Sequence, residues 1–286
     1  MLGLVAVMLL GSVMAATASA EPGPFWHHRE IGGKGEGEKI EPKAPENFKG
    51  TGGEQTLIGK VGGATVELSS PAIQVKGAIY NEPHQGQIKL AIFYQPITVK
   101  VGGVVVNNCN AFVGQQNQFP NAVVVKGHLA WKWDGTKQQL EEQPQKQQKW
   151  DIVFTQVEPQ EQPGRPLIDM REASFGSFAE INITGSGCGV IAGKRIVGGA
   201  EIGLPSLSQL GEWSKKLAVR TLQSGQFPKE VLGTTPPEKE GFLQHIWVGN
   251  GYQPLVLGLT FAGLPANLIG QTETEAEQQE ISVFEK

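Results

Sequence analysis

Alternation of apolar and polar residues is the feature that most constrains the fold of this chain. From about Phe48 onward, apolar side chains recur at every second position in many short segments. This period places successive side chains on opposite faces of a β-strand, whereas a helical face repeats about every 3.6 residues. The clearest case is segment 122–133. One face carries apolar side chains and glycine and the other carries polar ones: Val123, Val125, Gly127, Leu129, Trp131 and Trp133 against Lys126, His128 and Lys132.

Turn-forming residues separate these segments. The chain has 38 glycines and 18 prolines among 286 residues, about one residue in five against roughly one in eight in average proteins. We therefore predict an all-β fold, either an antiparallel sandwich or a distorted barrel, with at most one or two short helices. Segment 215–223 fits a strand or a helix, and the β context favours the strand. A hairpin is predicted around Gly198-Gly199.

The first twenty residues predict export. Residues 2–14 are almost wholly apolar, and Ala18-Ser19-Ala20 supplies the small residues that a signal peptidase requires. Cleavage is expected between Ala20 and Glu21, which would place the protein in the medium or at the cell surface. The alternative is an uncleaved membrane anchor, which the short run and the cleavage site disfavour.

The rest of the chain divides by composition. Residues 21–47 are rich in Gly, Glu, Lys and Pro without hydrophobic periodicity, which predicts a flexible leader. Residues 48–286 are predicted to form a single all-β domain, with an exposed Gln-rich loop at 137–149. Because that loop could also be a linker, one domain or two both remain open.

The two cysteines, Cys109 and Cys188, are expected to form one disulfide. An isolated even pair in an oxidising compartment usually does so. The bond would close a loop of about 80 residues and contribute around 4 kcal/mol in the chain-entropy model. The disfavoured alternative is a free nucleophilic thiol at Cys188.

Charge narrows the range of partners. The net charge is −4, and acidic and basic residues are interspersed along the sequence. We therefore expect no extended basic surface that would attract nucleic acid or anionic lipid. The mature chain is expected to lack a membrane span, because its most apolar run, 255–270, contains Gly, Pro and Asn. A cell-surface glycan or protein remains possible as a partner.

No catalytic residue is predicted. Residues 195–199 match the activation junction of trypsin-like proteases, but only 87 residues follow and no nucleophile loop is among them. His27-His28 is the best hint of a metal site, yet adjacent side chains of an extended chain point apart. We therefore expect no cofactor and no metal.

Exposed aromatic side chains could stack on sugars. The weak candidates for such a surface are Trp26, Trp247 and Tyr252. Core packing is the favoured alternative for these residues.

Three segments carry a resemblance to a known family: residues 25–29, 85–90 and 129–136. The chain resembles a family of exported, β-rich bacterial proteins with no assigned function, over most of its mature length. The resemblance implies export, the β fold and the disulfide, and it implies no catalytic residues. Relatives often carry further cysteines, and Ser69 or Ser70 stands where one would be expected.

The leading functional hypothesis is a non-enzymatic exported protein with a structural or binding role. The first alternative is a carbohydrate-binding module that uses exposed aromatics. The second is a hydrolase whose catalytic residues are dispersed in sequence.

Overall fold

The computed structural model describes residues 24–82, 85–114, 121–133, 149–156, 179–207, 209–221, 243–248, 251–254 and 258–284. The predicted export signal and the Gln-rich loop at 137–148 lie outside these residues, while Lys149 begins a strand. The described chain contains one short 3-10 helix, Gly189–Ile191. In this part of the chain, no helix is long and apolar enough to cross a membrane.

Strands make up nearly all of the ordered elements. In chain order they are β1 (Phe25–Arg29), β2 (Glu38–Lys39), β3 (Glu46–Gly52), β4 (Gln55–Val61), β5 (Ala64–Ser70), β6 (Ile73–Asn81), β7 (Gly86–Tyr94), β8 (Ile97–Val101), β9 (Val104–Val113), β10 (Ala122–Trp133), β11 (Lys149–Gln156), β12 (Ala179–Thr184), β13 (Gly193–Pro205), β14 (Lys216–Thr221), β15 (Leu243–Val248), β16 (Gly251–Pro254), β17 (Gly258–Phe261), β18 (Leu264–Ile269), β19 (Gln271–Ala276) and β20 (Glu280–Phe284).

The strands close into two eight-stranded antiparallel barrels. The lower barrel runs β3-β6-β7-β10-β11-β13-β14-β19 and returns to β3. The upper barrel runs β4-β5-β8-β9-β12-β13-β17-β18 and returns to β4. Strands at matching positions of the two rings are joined by the chain: β3 leads into β4, β5 into β6 and β18 into β19. The barrels are therefore stacked end to end, and the predicted all-β antiparallel fold is confirmed in its barrel form.

Strand β13 belongs to both barrels. Val197 pairs with Phe261 in the upper barrel, and Ile202 pairs with Val153 in the lower one. The predicted hairpin at Gly198-Gly199 is wrong, because both glycines lie inside this continuous strand. Two adjacent glycines permit a turn but do not require one. The strand predicted within 215–223 is confirmed as β14.

The segment predicted as a flexible leader is folded from residue 24 onward. Strand β1 pairs with β20 and β2 in a small separate sheet. The backbone N–H of Trp26 donates to Oδ1 of Asn81, and Nδ2 of Asn81 donates to the Trp26 carbonyl, both at 2.7 Å. The Trp26 side chain is 0% exposed. A single apolar island thus anchors a segment whose average composition is polar.

Tight hairpins end the upper barrel on the side remote from the lower one. The turns at Gly62-Gly63, Gly102-Gly103 and Ala262-Gly263 have positive φ at both central positions, as type I′ turns require. The triplet Val-Gly-Gly occurs three times in the sequence, and it forms such a turn after Val61 and after Val101. The third copy, at Val197, is the exception inside β13.

The predicted disulfide is present. Cys109 in β9 is bonded to Cys188, whose Cα lies 4.9 Å from that of Cys109. Both residues are buried. The bond ties β9 to the loop 185–192 that joins β12 to β13, so it fixes the closed end of the upper barrel.

Candidate ligand-binding interior

The interior of each barrel is lined by the inward side chains of the alternating pattern. The upper cavity has a volume of about 50 Å³ and the lower one about 60 Å³. Representative lining residues of the upper cavity are Leu57, Leu68, Val113, Ile181, Val197 and Leu259. Those of the lower cavity are Phe48, Val75, Ile88, Val125, Phe154 and Val219.

Three residues separate the two cavities. Gln55, Tyr94 and Leu268 line both of them. Nε2 of Gln55 donates to the Gln271 carbonyl at 3.2 Å, which holds the amide in place. Burial raises the pKa of Tyr94 above its ordinary value, so its hydroxyl stays protonated and neutral. These three side chains form a neutral partition in one long interior.

The serine and threonine hydroxyls of the lining are hydrogen-bonded to backbone carbonyls. Ser70 donates to the carbonyls of Ala72 and Gln95, and Thr274 donates to the Leu217 carbonyl at 2.8 Å. A hydroxyl that is already bonded offers little to a polar guest. The interior is therefore suited to an apolar molecule rather than to a polar one.

The cavity volumes limit what could enter. An eight-stranded barrel is either filled by its own side chains or holds one small ligand. A cavity of about 10–15 Å³ accommodates one water-sized group, so each cavity here has room for a few such groups. A drug-sized ligand needs several hundred Å³, which excludes it unless the walls move.

Buried side chains lie at both ends of the interior. Trp26 packs against Trp150 at the outer end of the lower barrel. At the opposite end Ile191 is buried, and Nη2 of Arg195 donates to the Ala192 carbonyl at 2.9 Å, which holds the surrounding loop. These contacts narrow the interior at both ends.

A second feature is a polar cluster on the outer wall of the lower barrel. The cluster consists of side chains that are nearly excluded from solvent: Gln85, Gln87, Lys89, Lys126, His128 and Asp151. Alternation correctly places Lys126 and His128 opposite the apolar face of β10. Their burial was not predicted from the sequence, because the pattern shows which face a residue occupies but not what covers that face.

Charge and burial together set the chemistry of this cluster. Nε2 of Gln85 donates to Nδ1 of His128 at 3.1 Å, which leaves the ring proton of a neutral His128 on Nε2. Burial, and secondarily the charge of Lys126, lowers the pKa of His128 to about 3. Burial also lowers the pKa of Lys126, and the carboxylate of Glu82, 3.2 Å from Nζ, partly counters this shift.

The cluster is poorly suited to acid–base catalysis at neutral pH. An effective general base has a pKa near the working pH, and that of His128 is far below it. Gln87 pairs with His128 across β7 and β10, and neither atom of its buried amide has a hydrogen-bond partner. We interpret the cluster as a polar network of the wall rather than as an active site.

Of the three aromatic residues predicted as surface candidates, the structure describes the side chain of Trp26 alone. Trp26 is wrong as a candidate for a sugar-binding surface, because its side chain is buried in the core, as the favoured alternative predicted. Trp247 and Tyr252 are paired residues of β15 and β16, but their side chains lie outside the described part of the structure. Ala20 and Glu21, the expected cleavage site, lie outside it as well.

The histidine pair and the protease-like motif have structural positions. Nδ1 of His27 lies 3.2 Å from the Glu36 carbonyl, and its ring packs on Phe284 with centroids 4.7 Å apart. Residues 195–199 are part of β13. Within the described ranges, no group of three or more His, Cys, Asp or Glu residues could hold a metal ion.

Comparisons with known proteins give no relative. No family model matches the chain, and neither curated proteins nor solved structures show a significant match. The resemblance to an exported β-rich family therefore stays a prediction.

Proposed function

We propose that this chain is an exported, non-enzymatic binding protein that holds a small apolar molecule inside its barrels. One observation carries the proposal: two apolar cavities lie on either side of the shared partition of Gln55, Tyr94 and Leu268. Export rests on residues 1–20. The absence of catalysis rests on the depressed pKa of His128 and on the lack of a recognised catalytic motif.

The ligand class follows from the lining. Transfer of apolar surface out of water contributes about 25 cal/mol per Å², and most of the lining side chains of both cavities are apolar. A compact hydrocarbon of a few carbon atoms matches both the chemistry and the space of either cavity, whereas a small aromatic ring requires the two cavities to join or a wall to move. Movement of Tyr94 or Leu268 would join the cavities and admit a longer molecule.

To test this proposal, benzene and toluene are titrated into the oxidised protein without residues 1–20. Binding is measured by ligand-observed NMR. Val75→Phe fills the lower cavity and Val197→Phe fills the upper one. Val105→Phe is the matched control, because Val105 is an exposed valine. We expect at least about tenfold weaker binding in one or both interior variants and unchanged binding in the control.

A second pair of variants keeps the test decisive if Val75→Phe or Val197→Phe does not fold. Leu57→Ala and Ile88→Ala enlarge the upper and lower cavities, and each should strengthen toluene binding relative to benzene. Circular dichroism checks that every variant is folded. Absence of binding in all proteins, or equal affinity in filled, enlarged and control variants, overturns the proposal.

A further inference from the structure

Exposed apolar side chains gather at the remote end of the upper barrel. Seven large hydrophobic residues are exposed in the described ranges, and five belong to this end: Val104, Val105, Val190, Ile196 and Leu264. Val190 is 80% exposed and Val104 is 70% exposed. We call Val104, Val105, Val190 and Leu264 the apolar crown.

The crown is built on turns of fixed shape. Val104 and Leu264 each follow a type I′ turn, Gly102-Gly103 and Ala262-Gly263. Val190 lies in the loop that the Cys109–Cys188 disulfide ties to β9. Because these tips are already ordered, they would lose little conformational entropy when they dock.

The crown is made by three connections that follow one another around the barrel end. The turn of β8–β9 carries Val104 and Val105, the loop of β12–β13 carries Val190, and the turn of β17–β18 carries Leu264. The apolar side chains therefore come from three different connections of one barrel end. A fluid apolar phase accommodates such an arrangement without a matching pocket, which a protein partner would have to supply.

Basic residues lie just behind the crown. The strands of the upper barrel, with β13 counted as far as Ala200, have four basic side chains, Lys60, Lys100, Lys194 and Arg195, and two acidic ones, Glu67 and Glu180, which pair with Lys100 and Lys194. The described part of this barrel thus has a net charge of +2, whereas the whole chain has −4. Lys60 lies two residues from Gly62, about 7 Å along the strand, which is the depth of a lipid headgroup layer when the tips enter the acyl boundary.

We propose that the apolar crown docks on an anionic lipid surface. The valine and leucine tips would enter the interface, and Lys60 with Arg195 would face the headgroup charges. Each basic side chain near such a surface contributes about fivefold in affinity. This docking is independent of the interior ligand. It departs from the sequence-based expectation of no attraction to anionic lipid, because Lys60 and Arg195 of this barrel are left over after Glu67 and Glu180 pair with Lys100 and Lys194.

The experiment uses the oxidised protein without residues 1–20, because an apolar signal would itself bind vesicles. Co-sedimentation is measured with vesicles of equal parts phosphatidylcholine and phosphatidylglycerol, and with phosphatidylcholine alone. We expect binding to the anionic vesicles, weakened about tenfold by Val190→Asp. Lys60→Ala should weaken it about fivefold, and binding to neutral vesicles should be weaker still.

Ile31→Asp is the matched control, because Ile31 is 61% exposed and lies outside the crown. It should bind like the unchanged protein. Absence of vesicle binding, or equal losses from Val190→Asp and Ile31→Asp, overturns the proposal. Size-exclusion chromatography tests the alternative that a second copy of this chain binds the crown. A dimer that Val190→Asp dissociates would show that a second copy covers the crown, and this outcome also overturns lipid docking.

Discussion

Trp26 packs edge-on against Trp150, with ring centroids 5.3 Å apart and an interplanar angle of 80°. Both side chains are fully buried, and Trp150 belongs to a wall strand of the lower barrel. Strand β1 therefore closes this barrel through one aromatic contact, reinforced by the two hydrogen bonds of Asn81 to the Trp26 backbone.

Removal of the closing side chain should destabilise the fold. Trp26→Ala is expected to reduce the free energy of unfolding by about 3–5 kcal/mol, through lost burial and the cavity that remains. Ile31→Ala, at an exposed position nearby in the chain, should change it by less than about 0.5 kcal/mol. Urea unfolding measures both. Similar small effects would show that β1 does not seal the barrel.

The disulfide should stabilise the upper barrel through the unfolded state. Cys109 and Cys188 are separated by 79 residues, and a loop of that length corresponds to about 4 kcal/mol. Cys109→Ser is expected to lower the melting temperature by about 10 °C, measured by calorimetry. Reductant should then lower the melting temperature of the unchanged protein but not of the variant. A midpoint unaffected by either change would contradict this prediction.

Stability should fall in acid because of His128. Its pKa is about 3 in the folded protein and 6.5 in its ordinary state. Between these values the unfolded chain binds a proton that the folded protein excludes. The neutral, buried His128 is therefore compatible with full stability above about pH 6.5, and the free energy of unfolding falls as the pH drops from there toward about 3.

This pH dependence can be assigned by substitution. The free energy of unfolding should be about 2 kcal/mol lower at about pH 5 than at about pH 8 through His128 alone. His128→Gln should remove that part of the slope, since glutamine does not titrate. Urea unfolding across the pH series measures it. An identical slope in the variant would show that other groups cause the acid sensitivity.

The buried amide of Gln87 should cost stability. Its nitrogen and oxygen have no hydrogen-bond partner, and an unpaired buried polar group costs about 1–3 kcal/mol. Gln87→Met keeps the length of the side chain and removes both groups, so chemical unfolding should show a gain of about 1 kcal/mol. A loss of stability would instead indicate that water bonded to the amide.

Local pattern predicts the strands but not their closure. Alternation marks β10 and β14, and the Val-Gly-Gly turns mark two hairpins. Closure depends on pairs such as Phe48 with Ala276, which are distant in the sequence and leave no local signal. The burial of Trp26 agrees with the core packing favoured from the sequence, but its contact with Trp150 joins residues that are distant in the sequence.

The candidate interior was predictable only in part. The inward direction of Ile88, Leu90 and Tyr94 follows from their spacing, so the apolar lining could be foreseen once a barrel was chosen. The partition could not, because Gln55, Tyr94 and Leu268 come from three distant strands and meet only after both rings close. The burial of Lys126 and His128 likewise depends on tertiary packing.

The most direct test of the interior binding site is methyl-resolved NMR of the protein during a titration with toluene. We expect saturable shift changes at the methyl groups of Leu57, Leu68, Val75 and Leu268, which line the two cavities. Methyl groups of the exposed Val105 and Ile31 should stay unchanged. Changes confined to exposed methyls, or no saturable change at any methyl, would contradict an apolar ligand site inside the barrels.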